Sequence, residues 1–99
     1  MSEIDLIADA AHEVLKGHDI SQAWLFGSCA RGEQTEASDV DLRFVCGPSV
    51  GYGELYEISQ ELESLIGRPV QLVTSPIDSM RPAFRDRLLA DQVMVYEAA

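Results

Sequence analysis

Four residues of this chain have the types and the spacing to handle a phosphate and a divalent cation: Gly27, Ser28, Asp39 and Asp41. Ten residues separate Ser28 from Asp39, and one separates the two aspartates. Glycine lets a backbone come close to a ligand and take dihedral angles that other residues avoid. Ser28 is a good N-cap, and Cys29-Ala30-Arg31 after it form one helical turn that Gly32 stops. The start of such a turn presents unpaired N–H groups, which suit a phosphate. Side chains at i and i+2 of a strand point to the same face, about 6.5–7 Å apart. Asp39 and Asp41 can therefore converge on one ion or on two neighbouring ions. Mg2+ prefers a few carboxylates together with phosphate oxygens and water, so a triphosphate on the turn and a metal against the aspartates would complete each other. At average residue usage this pattern arises by chance in roughly one chain of this length in a thousand. The competing reading is a Gly-Ser turn followed by the acidic end of a solvated loop.

The elements around the motif must deliver these groups. Residues 22–26 read as a strand with Trp24 and Phe26 on one face and Ala23 and Leu25 on the other. Both faces are apolar, which places the strand centrally; Trp24 is read as core, with base stacking as the alternative. Residues 39–46 read as the next strand, with Val40, Leu42 and Phe44 packed and Asp41, Arg43 and Val45 opposite. Between them, the segment around Glu33 and Glu36 reads as a mobile solvated loop, approach of either glutamate to a metal being the alternative. Arg31 is either a phosphate contact or a surface charge, and Cys29 a small packing residue.

A helix is expected over 3–16, from the spacing of Ile4, Ile7, Ala8, Ala11, Val14 and Leu15, with Ser2 as N-cap and Gly17 as stop. His12 and His18 are read as solvated. A second helix is expected over 54–66 around Leu55, Ile58, Leu62, Leu65 and Ile66, then a strand over 69–74 and a helix over 80–89 with Met80, Phe84 and Leu88 inward. Arg81, Arg85 and Arg87 make the last helix basic. They are read as a charged face pairing with Asp86 and other acids, contact with nucleotide or an acidic partner being the alternative. Residues 93–96 form a final edge strand and 97–99 a tail. The fold class is α/β, with a small mixed β-sheet, helices packed on one side and the site on the other.

The motif G-S-x10-D-x-D, with ARG at 30–32 and SDVDL at 38–42, resembles the nucleotidyltransferase superfamily that includes DNA polymerase beta. The chain's size is similar to that of the minimal nucleotidyltransferases, or MNT proteins. The resemblance implies an αβαβαβα core plus a short final strand, as one domain over residues 1–99. It also implies nucleotidyl transfer from ATP or another nucleoside triphosphate. Gly27, Ser28 and Arg31 would bind the nucleotide, and Asp39 and Asp41 would be the catalytic residues and Mg2+ ligands. Many MNT proteins are antitoxins encoded beside a HEPN-domain ribonuclease toxin, and some inactivate it by adding AMP to a toxin tyrosine. An MNT-type antitoxin with a HEPN-type toxin as partner is thus the implied function; the alternative is an active enzyme modifying another protein or a small-molecule acceptor.

One position departs from the family pattern. Active members carry a third carboxylate in a stretch like GRPVDLV, whereas residues 67–73 here read GRPVQLV, with Gln71 at the matching place. A glutamine cannot take a proton and brings no charge. Loss of a general base is typically worth about 10²–10⁴ in rate. Gln71 therefore separates an active transferase from an antitoxin that works by masking.

Composition narrows the partners. Seventeen acidic residues against seven basic ones give a formal net charge of −10. Such a field repels nucleic acid and suits a basic protein partner, though solubility explains the charge equally well. No apolar run approaches the eighteen residues of a membrane span, and the first residues lack the basic and apolar regions of a signal peptide. Two cysteines make no disulfide framework. These features predict a cytoplasmic protein with reduced thiols, one that binds neither membrane nor nucleic acid directly.

Overall fold

A computed structural model describes residues 2–98 of the chain. The first helix, α1 (Glu3–Leu15), starts as expected from Ser2. The Ser2 hydroxyl accepts from the Asp5 N–H and the Asp5 carboxylate accepts from the Ser2 N–H, a reciprocal capping box. The helix buries Ile7, Ala11, Val14 and Leu15 of the expected stripe and Ala10 in addition, while Ile4 and Ala8 are only partly buried. The strands are β1 (Ile20–Phe26), β2 (Val40–Cys46), β3 (Val70–Val73) and β4 (Val93–Glu97). The helices between them are α2 (Ser28–Arg31), α3 (Tyr52–Ile66) and α4 (Pro82–Asp91), and a 3-10 turn covers Ile77–Ser79.

The sheet order is β3-β2-β1-β4. β2 runs antiparallel to β1, and the α3 crossover brings β3 parallel beside β2, the pairing expected from the sequence. β4 closes the other edge antiparallel to β1, and its last residue, Glu97, pairs with Gln22, so this residue of the expected tail is strand. Ala99 lies outside the described residues.

The core forms where the apolar stripes of α1 and α3 meet the inward residues of the sheet. Ala23, Leu25, Val40, Leu42 and Phe44 are at most 1% exposed against Ile7, Leu15, Ile58 and Leu62. The opposite sheet face carries Trp24, Phe26, Asp41 and Arg43. Here α4 takes a place of its own. Its Phe84 meets Phe26 edge-on, with ring centroids 6.0 Å apart, and Gln92 just after it accepts from Arg43 at 3.3 Å. The last helix therefore lies over the face that bears the aspartates, while α1 and α3 cover the other. It also starts later than the residue pattern suggested, because Pro82 can occupy its first position but Met80 is held extended before it. No described helix is long and apolar enough to cross a membrane.

Candidate active site

β1 ends at Phe26 and the chain turns sharply at Gly27, whose φ of +77° is open to glycine and strained for other residues. Gly27, and not Ser28, is the N-cap of α2; Ser28 is the first helical residue and makes no cap bond with its side chain. The glycine itself has a steric cause. The turn passes so close to β2 that a Cβ on Gly27 would stand 2.5 Å from Asp41 Oδ2. The turn and the carboxylate are therefore in direct apposition, and the first N–H groups of α2 have no intrahelical partner. Gly32, at φ +73°, stops the helix as anticipated.

Asp41 lies on β2 opposite Phe26 of β1 and in register with Gln71 of β3. Register partners of neighbouring strands share a face, so Gln71 stands beside Asp41 on the site face, as its crossover implied. Asp39 precedes the first residue of β2 and is half-buried. The two carboxylates feel each other: burial, and then the charge of Asp39, raise the Asp41 carboxyl above its ordinary range. Two crowded carboxylates, one of them desolvated, favour a cation between them. Among the described residues no cluster of three or more His, Cys, Asp or Glu exists to hold a metal. The aspartate pair would thus need phosphate oxygens or water to fill a Mg2+ shell, which suits the turn facing it.

The loop between α2 and β2 is pinned rather than mobile. Thr35 and Ser38 bond each other through backbone and side chain. Arg68 then donates from Nη1 to the carbonyls of Thr35 at 2.6 Å and Ser38 at 3.3 Å, and from Nε to Glu3 at 2.8 Å. Cys29, 1% exposed, points its Sγ at the Asp39 carbonyl at 3.5 Å, a packing role as expected. Burial raises its thiol pKa, so it is no reactive thiolate. Glu33 turns to Arg31 at 2.8 Å and away from any metal role. Sequence patterning offered no signal for Arg68, since its three partners lie 30 to 65 residues away in the chain.

A cavity of about 270 Å3 opens beside the motif, lined by Phe26, Gly27, Ser28, Arg31 and Asp41, and by Phe84, Arg87, Leu88 and Asp91 of α4. Of the proposed site residues, Gly27, Ser28, Arg31 and Asp41 meet in this cavity, whereas Asp39 is not among its lining residues and reaches it only through its charge on Asp41. Arg31 is paired with carboxylates at the cavity's edge. It lines the cavity, yet its guanidinium is held by Glu33 and by Asp91 at 2.6 Å. Of the α4 residues here, the sequence offered only Arg87, as the alternative reading of the basic face; Phe84, Leu88 and Asp91 gave no signal, since their helix is far from the motif in the chain. Trp24 lies outside the cavity, stacked beneath Arg43 at 5.7 Å. His18 is also not solvated: its Nδ1 is 2.6 Å from Glu54 Oε2.

Comparison with known proteins decides the family. The sequence model of the polymerase beta nucleotidyltransferase family matches residues 10–99. The chain belongs to this family. Among its relatives is a candidate protein adenylyltransferase of Methanocaldococcus jannaschii, 35% identical over 82 residues, covering 83% of this chain and 86% of the relative. A solved structure of a candidate minimal nucleotidyltransferase superposes with a TM-score of 0.74 at 26% identity, covering 94% of this chain and 95% of that one. The complex of a tri-AMPylated HEPN toxin with an MNT antitoxin from Shewanella oneidensis contains a chain of the same fold. There the TM-score is 0.66 at 16% identity, over 96% of this chain and 73% of that one. As a nucleotidyltransferase domain, the four-stranded mixed sheet with its packed helices has the architecture that places a glycine turn against paired aspartates.

Proposed function

We propose that this nucleotidyltransferase binds a nucleoside triphosphate with Mg2+ and acts on a protein partner, a HEPN-type toxin, as its antitoxin. The observation that carries the nucleotide reading is the apposition of the Gly27 turn to Asp41, with Asp39 close enough to raise the Asp41 carboxyl. Gly27, Ser28 and Arg31 take the triphosphate, and Asp39 and Asp41 hold the metal, which would polarise the phosphate and neutralise its charge. The adenylyltransferase relative and the AMPylated toxin complex support ATP as the donor and a protein as the acceptor. Gln71 stands in register with Asp41 where a carboxylate would serve as base, so transfer is slow and the antitoxin works chiefly by covering its partner. Such a partnership belongs in the cytoplasm.

The test is to mix the purified protein with labelled ATP, Mg2+ and the product of the adjacent gene. Complex formation with slow or no labelling of the partner is expected. Brisk labelling would establish the second reading, an active transferase. Equal affinity for ATP with and without Mg2+ would remove the metal site altogether.

A further inference from the structure

We propose that Arg87, on α4, is a nucleotide-binding residue that carries the charge of the triphosphate. The inference rests on the nucleoside triphosphate reading above and adds a residue that the motif does not contain. Arg31 and Arg87 are the two cations that line the cavity with Gly27, Ser28 and Asp41. They differ in what holds them. Arg31 is gripped by two carboxylates, Glu33 at 2.8 Å and Asp91 at 2.6 Å, so its positive charge is already more than balanced. Arg87 is exposed at the cavity and has no carboxylate within ion-pair distance among the described residues, unlike Arg31, Arg68 and Arg85.

The charge of the site makes that difference matter. Glu33 and Asp91 hold Arg31, Asp41 lines the same cavity, and a triphosphate brought there adds further negative charge. Metal at the aspartates offsets part of it, and the remaining phosphate oxygens need a cation that is free to move onto them. A guanidinium presents five donors in a planar fork that matches phosphate oxygens, often two at a time. Arg87 is also aimed by its element. Phe84, Arg87, Leu88 and Asp91 stand at i, i+3, i+4 and i+7 of α4, one face of a helix. That whole face borders the cavity, and it is anchored by Leu88, 2% exposed, and by the Phe26–Phe84 contact. α4 thus holds Arg31 back with one residue and offers Arg87 with another.

The experiment is calorimetry with Mg-ATP and with Mg-tripolyphosphate, on the wild type and on Arg87→Ala, Arg87→Lys and Arg81→Ala. Arg81 is an exposed arginine at the start of the same helix, does not line the cavity, and its loss changes the net charge equally. Arg87→Ala is expected to weaken both ligands by about 10–100-fold, the worth of a hydrogen bond to a charged group. Arg87→Lys should recover part of that, and Arg81→Ala should stay within about twofold of the wild type, allowing for screening by salt. Unchanged thermal melting of Arg87→Ala would establish that the fold is intact. Equal weakening by Arg81→Ala and Arg87→Ala would reduce the effect to general charge and overturn the proposal. So would undiminished Mg-ATP affinity in Arg87→Ala. A wild type that takes up neither ligand would instead sink the nucleotide reading itself, and this assignment with it.

Discussion

Gly27 and Asp41 constrain each other, and substitutions at either expose the conflict. Gly27→Ala places a methyl group 2.5 Å from Asp41 Oδ2 on a backbone at φ +77°. With ψ at −157° this backbone region is open essentially only to glycine and costs another residue about 1–3 kcal/mol, so the variant should melt several degrees lower and lose Mg-ATP binding, both visible in a melting series with and without ligand. Asp41 gives the opposite sign. Its raised pKa means that the fold disfavours the charged carboxylate. Its contribution to stability is therefore present below the ordinary carboxylate pKa and is lost as pH rises through the folded-state value. Asp41→Asn in chelator should melt higher than the wild type at neutral pH, and the difference should shrink in acid. Equal differences at both pH values would contradict this. The same substitution should abolish the dependence of ATP affinity on Mg2+. Gln71→Asp adds the missing charge beside Asp41, and should tighten Mg2+ binding and raise transfer by about 10²–10⁴ if the rest of the site is competent. A labelling time course with the partner reads the change directly, and an unchanged rate would remove Gln71 from the explanation.

At the scale of elements, the site is a strand end, a turn and a pinned loop, held from three sides. Arg68, in the turn between α3 and β3, ties the loop to Glu3 of α1, and its side chain is 19% exposed. Arg68→Ala removes hydrogen bonds to a charge worth roughly 1.5–3 kcal/mol in all. It should speed hydrogen exchange over residues 33–39 more than over β1, and weaken Mg-ATP binding without touching either ligand. Uniform exchange across the chain would mean that the loop holds itself. β3 is short and lies at the sheet edge, yet it carries Gln71 because the α3 crossover lands it parallel beside β2. A residue two elements away from the motif becomes a neighbour of Asp41 through that crossover alone.

For the whole molecule, charge and partnership belong together. A net charge of −10 favours a basic partner by long-range attraction, which acts on association more than on the bound state. Association should slow several-fold between low and physiological salt, where the Debye length is about 8 Å, and dissociation should change little. If covering the partner is the main activity, the double variant Asp39→Asn, Asp41→Asn should still co-purify with it and still protect cells from it. Loss of protection with the complex intact would make transfer the main activity instead.

Much of this was legible in the residues. The period of Ile7, Ala11 and Val14 defines α1, the alternation through Val40, Leu42 and Phe44 defines β2, and the motif brings Gly27, Ser28 and Asp41 to one candidate cavity, because local spacing translates directly into which face a side chain takes. Gly27 is recognisable as a turn, but that it leaves no room for a side chain follows from how close β2 passes. The loop of residues 33–38 reads as mobile because its polar residues have no apolar anchor; the Thr35–Ser38 bonds within it and Arg68, from beyond α3, hold it. The position of α4 was beyond the sequence for a related reason. Its apolar residues are few, so periodicity said only that one side is buried, and not on which face of the sheet. Tertiary packing of Phe84 on Phe26 decided that, and with it brought Arg87 and Asp91 to the cavity. Contacts between residues distant in the chain depend on where whole elements land, and local spacing does not encode that.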